Sequence, residues 1–301
     1  MNIIEIFNNF QTQEQAVEYL EKARWHGKPI CPYCSGEKVS RHVSGDRAGQ
    51  RWQCLTCQTA FAVTVGTIFH GTHIPLKKWF LVLALMLNAK KSASACQIAR
   101  DIGVRRPTVW SMMHRIRAAM VKDAEQSALL HGIVEADETY VGGKPRKGNR
   151  RDDDQEGGNK SKRGRGTDKM PVIGVVERHG RVIARPATKS ELTSKGLSEF
   201  ITSNVDVAGS LLITDEFPAY RAIGKKMLHT TINHAIEYAN GLIHTNTMEG
   251  FWALVKRAWY GQHHHYSTKY ASLYISEASY KYNKRQSNNS FSHAIGLMVA
   301  A

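Results

Sequence analysis

Residues 133–141 read Ile133-Val134-Glu135-Ala136-Asp137-Glu138-Thr139-Tyr140-Val141, a strand with acids near its middle. Its residue types suit a pleated, half-buried surface. Met170-Pro171-Val172-Ile173-Gly174-Val175-Val176-Glu177 reads as a second strand. His179-Gly180 turns it into a third, Arg181 to Arg185. Residues 190–203 are predicted helical. Leu211-Leu212-Ile213-Thr214 is a continuous apolar run, as expected of a central strand in a covered sheet. Asp215 stands at its carboxyl end, where open α/β sheets place ligands. A short helix follows, then a strand-like run near Met227–Ile232 and a helix from about Thr245 to Tyr260.

Three strands, helix, strand, helix, strand, helix is a ribonuclease H-like succession. The spacing therefore predicts an α/β domain of that kind over residues 130–301, with C-terminal helices. Acids fall on the first strand, after the fourth strand and on the late helix. From Asp137 to Asp215 is 78 residues, and from Asp215 to Glu249 is 34. On the late helix Phe251, Leu254, Val255, Ala258 and Trp259 form one apolar stripe. Glu249 and Lys256, seven apart, share the other face. Divalent magnesium prefers oxygen ligands, and two such ions about 3.5–4 Å apart need shared carboxylates. Glu135 and Glu138 flank Asp137 and could take its role, Glu135 from the same strand face.

Cys31-Pro32-Tyr33-Cys34 and Cys54-Leu55-Thr56-Cys57 are separated by 19 residues. Two such knuckles supply four thiolates for one closed, structural zinc site. Arg51-Trp52-Gln53 leads into the second knuckle as a ribbon strand would. A zinc ribbon is predicted over 28–74, too small to fold without metal. Cys96, alone in a helical pattern, is expected in the core. An N-terminal helix occupies residues 13–24 of a segment spanning 1–27, with Thr12 as its cap.

Residues 75–124 read as three helices. Leu76–Leu87 is strongly apolar, and Ser94–Ile102 ends at the turn Gly103-Val104. Arg105–Arg117 opens with basic and small polar residues. This is a helix-turn-helix pattern. Residues 76–122 hold ten Lys or Arg and one acid, Asp101, a net of +9. Arg105, Arg106, Thr108 and Arg115 are the candidate DNA contacts.

The whole chain carries +15 over 301 residues with a pI near 9.6. That charge favours a polyanionic partner, nucleic acid first. The longest apolar run, Trp79–Leu87, is far short of the about 20 residues a bilayer span needs. No membrane association is expected. No secretory leader is expected either, and with the low cysteine count this points to the cytoplasm. Residues 144–169 are rich in glycine and charge and are predicted to be a flexible loop.

The motifs CPYC, CLTC, EADETYVGGK, ITDEFPAY, HTNTMEGFWALVKR and YISEASYKYNKR together resemble those of bacterial insertion-sequence transposases of the IS1595 (ISXO2-like) family. The resemblance spans nearly the whole chain, from zinc ribbon through helix-turn-helix to a DDE domain. It implies a catalytic triad of Asp137, Asp215 and Glu249, with Asn246 as a nearby helper, since some relatives carry Asn in place of the last acid. It implies that Lys256 lies near DNA ends. The basic loop 144–169 looks like a variable insertion after the first catalytic strand.

The expected activity is cleavage of element ends and strand transfer into target DNA, with two Mg2+ (or Mn2+) ions at the triad. Double-stranded DNA, as terminal inverted repeats and target, is the expected partner. Cutting two ends together calls for at least a dimer. A bacterial, nucleoid-associated location accompanies that reading. Two other functions fit parts of the chain: a sequence-specific DNA-binding regulator with an inert acidic domain, and a ribonuclease H-like nuclease or resolvase that cuts without joining. His263-His264-His265 is read as facing DNA rather than holding metal. Tyr270, Tyr274, Glu277, Lys281 and Arg285 are read as one helix, with Lys281 and Arg285 free for phosphate.

Overall fold

The computed structural model describes residues 1–42, 50–125, 128–142, 169–232 and 243–300. The chain divides into two compact units, Met1–Glu125 with Lys284–Ala301, and Gln126–Asn283. The insertion expected over 144–169 lies, but for its last residue, outside the described residues.

The first unit opens with two capped helices. In α1 (Ile3–Asn9) Asn2 and Glu5 form a capping box, and in α2 (Gln13–Trp25) Thr12 and Gln15 form another. Each box satisfies backbone donors that a helix start leaves orphaned. Strands β1 (Val39–Arg41), β2 (Trp52–Cys54) and β3 (Ala60–Phe61) make a small antiparallel sheet in that order. It leans on α2: buried Glu21 accepts from Arg41 Nη2 at 2.6 Å and Trp52 Nε1 at 2.7 Å, while Trp25 meets the Trp52 and Phe61 rings edge-on.

Helices α3 (Leu76–Asn88), α4 (Ala95–Ile102) and α5 (Arg106–Glu125) follow. Ser94 caps α4, and Gly103, at φ 61°, ends it in the left-handed conformation that glycine adopts without cost. On α4, Ile98 and Ile102 turn inward four residues apart. Cys96 therefore falls on the outer side and is exposed, not in the core as expected.

Among the described residues the second unit holds a five-stranded mixed sheet. Its strands are β4 (Leu130–Val141), β5 (Met170–Glu177), β6 (Val182–Pro186), β7 (Val205–Thr214) and β8 (Leu228–Thr231), in the order β6-β5-β4-β7-β8. The pairs β4–β5 and β5–β6 are antiparallel; β4–β7 and β7–β8 are parallel. The two-residue period sorts side chains onto two cores. Val134, Ala136, Ile173 and Val175 pack with Leu197, Phe200 and Ile201 of α6 (Ser194–Asn204) and with Tyr220 of the 3-10 helix Pro218–Lys225. Val141, Val172 and Val176 pack with Met248, Phe251, Trp252 and Val255 of α7 (Asn246–Ala258) and Ile275 of α8 (Ala271–Asn283). The last helix, α9 (Ser290–Val299), belongs to the first unit.

Candidate metal centres and a candidate active site

The knuckles bring four sulfurs together. One ligand atom each from Cys31, Cys34, Cys54 and Cys57 lies within 4.8 Å of all the others. Ser35 (φ 58°) and Gln58 (φ 56°), each just after the second cysteine of its pair, bend the chain back. Within the coupled thiols Cys54 is pulled below its ordinary value, chiefly by the backbone N–H of Cys57 directed at its sulfur, with help from that of Thr56, while the neighbouring sulfurs push Cys34 up. Amide donors aimed at sulfur favour thiolate, the form that binds metal. The donor set, its spacing and its amide shell fit a closed site of four thiolates.

Carboxylates of Asp137, Glu138 and Asp215 converge in the second unit, again with oxygens within 4.8 Å of one another. The register explains how. The parallel pairing of β4 with β7 runs to Glu135 opposite Ile213, two residues short of both Asp137 and Asp215. Each acid is held by its own donor. Trp252 Nε1 of α7 donates to Asp137 Oδ2 at 3.0 Å. The Tyr220 hydroxyl donates to Glu138 Oε2 at 3.1 Å, and the Phe217 backbone N–H to Asp215 Oδ1 at 3.0 Å. Burial, then the neighbouring Glu138 and Asp215 carboxylates, push Asp137 up to about 8. Like charges gathered so closely repel, and a hard dication is the natural counter-charge. These residues fit a divalent-metal site.

Glu249 is not one of the three. It sits exposed in the first turn of α7, one turn before Trp252. Asn246 and Lys256 are exposed too. Glu135 shares the Asp137 face as expected but is fully buried and otherwise engaged. It accepts from Arg178 Nε at 2.8 Å, Thr247 Oγ1 at 2.9 Å and the Met248 backbone N–H at 3.0 Å, with His244 at 3.4 Å. Glu135 thus caps the start of α7 from the neighbouring strand.

Gly174 lets α7 come so close. It pairs with Asp137 across β4–β5. A Cβ there would overlap the Met248 methyl and lie 2.9 Å from the Trp252 ring.

Arg105 and Arg106 are exposed at the start of α5 and Thr108 is half-buried. Arg115, though exposed, donates to the carbonyls of Ile68 (3.0 Å) and His70 (3.2 Å). Lys281 is not free for phosphate: its ammonium pairs with buried Glu277 at 3.1 Å, one turn back on α8. Arg285 has a partner as well. His263 meets the Tyr266 and Tyr274 rings, and His265 meets Trp259.

Trp252, Tyr220 and Arg178 escaped the sequence reading. Only Trp252 left a signal: an indole in the middle of a helix needs a partner for its N–H when buried.

Residues 129–283 match the family model of the ISXO2-like transposase domain, and residues 11–60 that of the transposase zinc-ribbon domain. The first match coincides closely with the second compact unit. A Halobacterium salinarum protein, described as an uncharacterized protein in transposable element ISH50, is 32% identical over 265 residues, 84% of this chain and 85% of its own. Similar solved structures include the Mos1 strand transfer complex, at 13% identity and TM-score 0.31 over 73% of this chain and 75% of that one. A pre-cleavage Mos1 transpososome gives 13% and 0.29 over 72% and 75%. Likeness that distant transfers no role to any residue.

Proposed function

This chain belongs to the ISXO2-like transposase family, and we propose that it binds the terminal inverted repeats of an insertion sequence, cleaves them and joins the freed ends to target DNA. The observation that carries this reading is the meeting of Asp137, Glu138 and Asp215 at the end of β7 within the family's domain. A sheet antiparallel on one side of β4 and parallel on the other supports a ribonuclease H-like core.

Asp137, Glu138 and Asp215 would hold divalent metal, two Mg2+ or Mn2+ ions in this reading, with Glu249 completing the set once DNA is bound. Metal bound there supplies positive charge that activates the attacking oxygen and stabilises the leaving one. The chain's own groups do the positioning. Trp252 holds Asp137, the Phe217 N–H holds Asp215, and the Tyr220 hydroxyl holds Glu138. In the first step water attacks a phosphodiester at the element end, the P–O3′ bond breaks and a 3′-hydroxyl leaves. In the second that hydroxyl attacks a target phosphorus in line, a new P–O3′ bond joins element to target, the target's own P–O3′ bond breaks, and the target strand's 3′-hydroxyl leaves.

Lys256, exposed on the helix that carries Glu249, is read as meeting DNA beside the cluster, and Asn246, exposed on the same helix, as a helper to Glu249. The four-cysteine ribbon with one zinc ion, and the helix-turn-helix with Arg105, Arg106 and Thr108, would grip the repeats. The net charge of +15 supports a DNA partner. Two ends processed together call for two or more copies.

The test is a strand-transfer assay on a duplex carrying the inverted repeat read from the DNA flanking the gene. Wild type with Mg2+ or Mn2+ gives joined molecules, and EDTA abolishes them. Asp215→Asn retains binding and loses cleavage by several orders of magnitude, as when a central electrostatic group is removed. Nicks without joining would make the chain a nuclease. An Asp215→Asn protein that joins DNA like wild type would remove the enzyme reading.

A further inference from the structure

A groove of about 420 Å³ opens at the segment that follows Asp215, lined by Glu216, Phe217, Arg221, His229, Thr230 and Thr231. Its size falls in the about 300–1,000 Å³ range of small-ligand clefts. Two of its residues, Glu216 and Phe217, follow Asp215 directly in the chain, which sets the groove at the carboxyl end of β7. Its floor is rigid. The Thr214 hydroxyl donates its single proton to the Asp215 carbonyl at 2.8 Å, so it accepts from His229 Nε2 at 2.9 Å. Burial holds the His229 pKa below its ordinary value. His229 therefore anchors β8 to the end of β7 and is not a spare cation.

The remaining groups describe the occupant. Arg221 is exposed, and no hydrogen bond or ion pair among the described residues engages it. Exposed Lys225 and Lys226 follow on the same segment. Phe217 is half-buried, its ring edge-on to Tyr220 with centroids 5.8 Å apart. Glu216 is exposed at the same groove. A simple anion would suit Arg221 but would face the Glu216 carboxylate. A nucleotide resolves that conflict, with phosphate toward Arg221, base against Phe217 and an exocyclic amino group toward Glu216.

We propose that this groove holds one nucleotide of the DNA strand entering the carboxylate cluster. The proposal rests on the transposase reading for the identity of the strand.

The experiment measures binding of full-length protein, with metal chelated, to the flanking-repeat duplex and to copies carrying an abasic site at each terminal position in turn. Phe217→Leu, which keeps the apolar bulk but removes the aromatic face, and Arg221→Ala are compared with wild type. At one position the abasic site should weaken wild-type binding about tenfold. Phe217→Leu should weaken the intact duplex similarly, and the two losses should not add. Arg221→Ala should lower affinity at every position alike. Additive losses at all positions, or variants that bind every duplex as wild type does, would overturn the proposal. Because binding is read without metal, a wild type that binds but never cuts overturns the transposase reading, while the groove is still judged by the cycle.

Discussion

Among the described residues two groups of side chains gather ligand atoms within 4.8 Å of one another, and they are assembled in opposite ways. The cysteine group comes from two short knuckles 19 residues apart, each closed by its own backbone. The carboxylate group comes from residues 78 apart, held by donors from a third and a fourth segment. In the ribbon the metal would supply the folding energy, since a three-stranded sheet of eight paired residues has almost no core. In the sheet domain the fold stands on two apolar cores and brings three carboxyl groups together. In the proposed reaction metal there would serve chemistry, and its absence should leave the domain folded.

The largest expected effect separates the two groups. Removing zinc, or substituting Cys54→Ser, should unfold the ribbon, because structural zinc contributes on the order of 10–16 kcal/mol in small modules. Elemental analysis should find about one zinc per chain, and hydrogen exchange should show residues 28–61 losing protection while 130–141 keep theirs. Protection in the ribbon that survives chelation would break the contrast.

Next come the acids beside Asp137. Glu135→Gln weakens a buried ion pair with Arg178 and a cap on α7, so about 3–5 kcal/mol of stability should go, as when a buried pair is broken. Glu138→Gln should instead leave the melting temperature near wild type and weaken Mn2+ binding measured by calorimetry. If the two substitutions behave alike, Glu135 and Glu138 do not divide anchoring from ligation.

The pH dependence of the metal-free domain sharpens the same point. Asp137 titrates at about 8 when folded, against an ordinary value of 3.8. The folded state therefore holds a proton that the unfolded chain releases. Stability should fall as pH rises from about 4 to 8, by on the order of a few kcal/mol after allowance for relaxation. Asp137→Asn should flatten that slope, and added Mn2+ should offset it. Denaturant melts at pH 5 and pH 8.5 decide the matter, and a slope unchanged in Asp137→Asn would refute it.

The smallest effect tests the close approach of α7. Gly174→Ala should cost about 1–3 kcal/mol through overpacking against Met248 and Trp252. It should also lower cleavage, because Trp252 can no longer reach Asp137. Thermal melts and cleavage rates that match wild type would show that the helix has room to spare.

Much of this architecture is legible in the chain. The order of strands and helices in the second unit, the knuckles, and the helices on either side of Gly103 follow from period, turn residues and caps, which act over a few residues. Helix α1 escapes that reading although Asn2 and Glu5 spell its capping box. Cys96 and Lys281 are misplaced by it, since helical spacing says which residues share a face but not which face is covered.

The metal-ligand chemistry of both centres is thus written locally: thiol pairs in one, spaced acids in the other. Which acids meet is decided by the tertiary structure. Glu135, Asp137 and Glu138 are near neighbours in sequence, yet one caps a helix and two join Asp215. Strand period puts Glu135 and Asp137 on one face, but the difference between them arises where β7 ends and where α7 lands. Where α7 lands depends on a glycine in β5 and an indole in α7, a contact between residues 78 apart. Packing and register across such distances leave no period for a linear reading to detect.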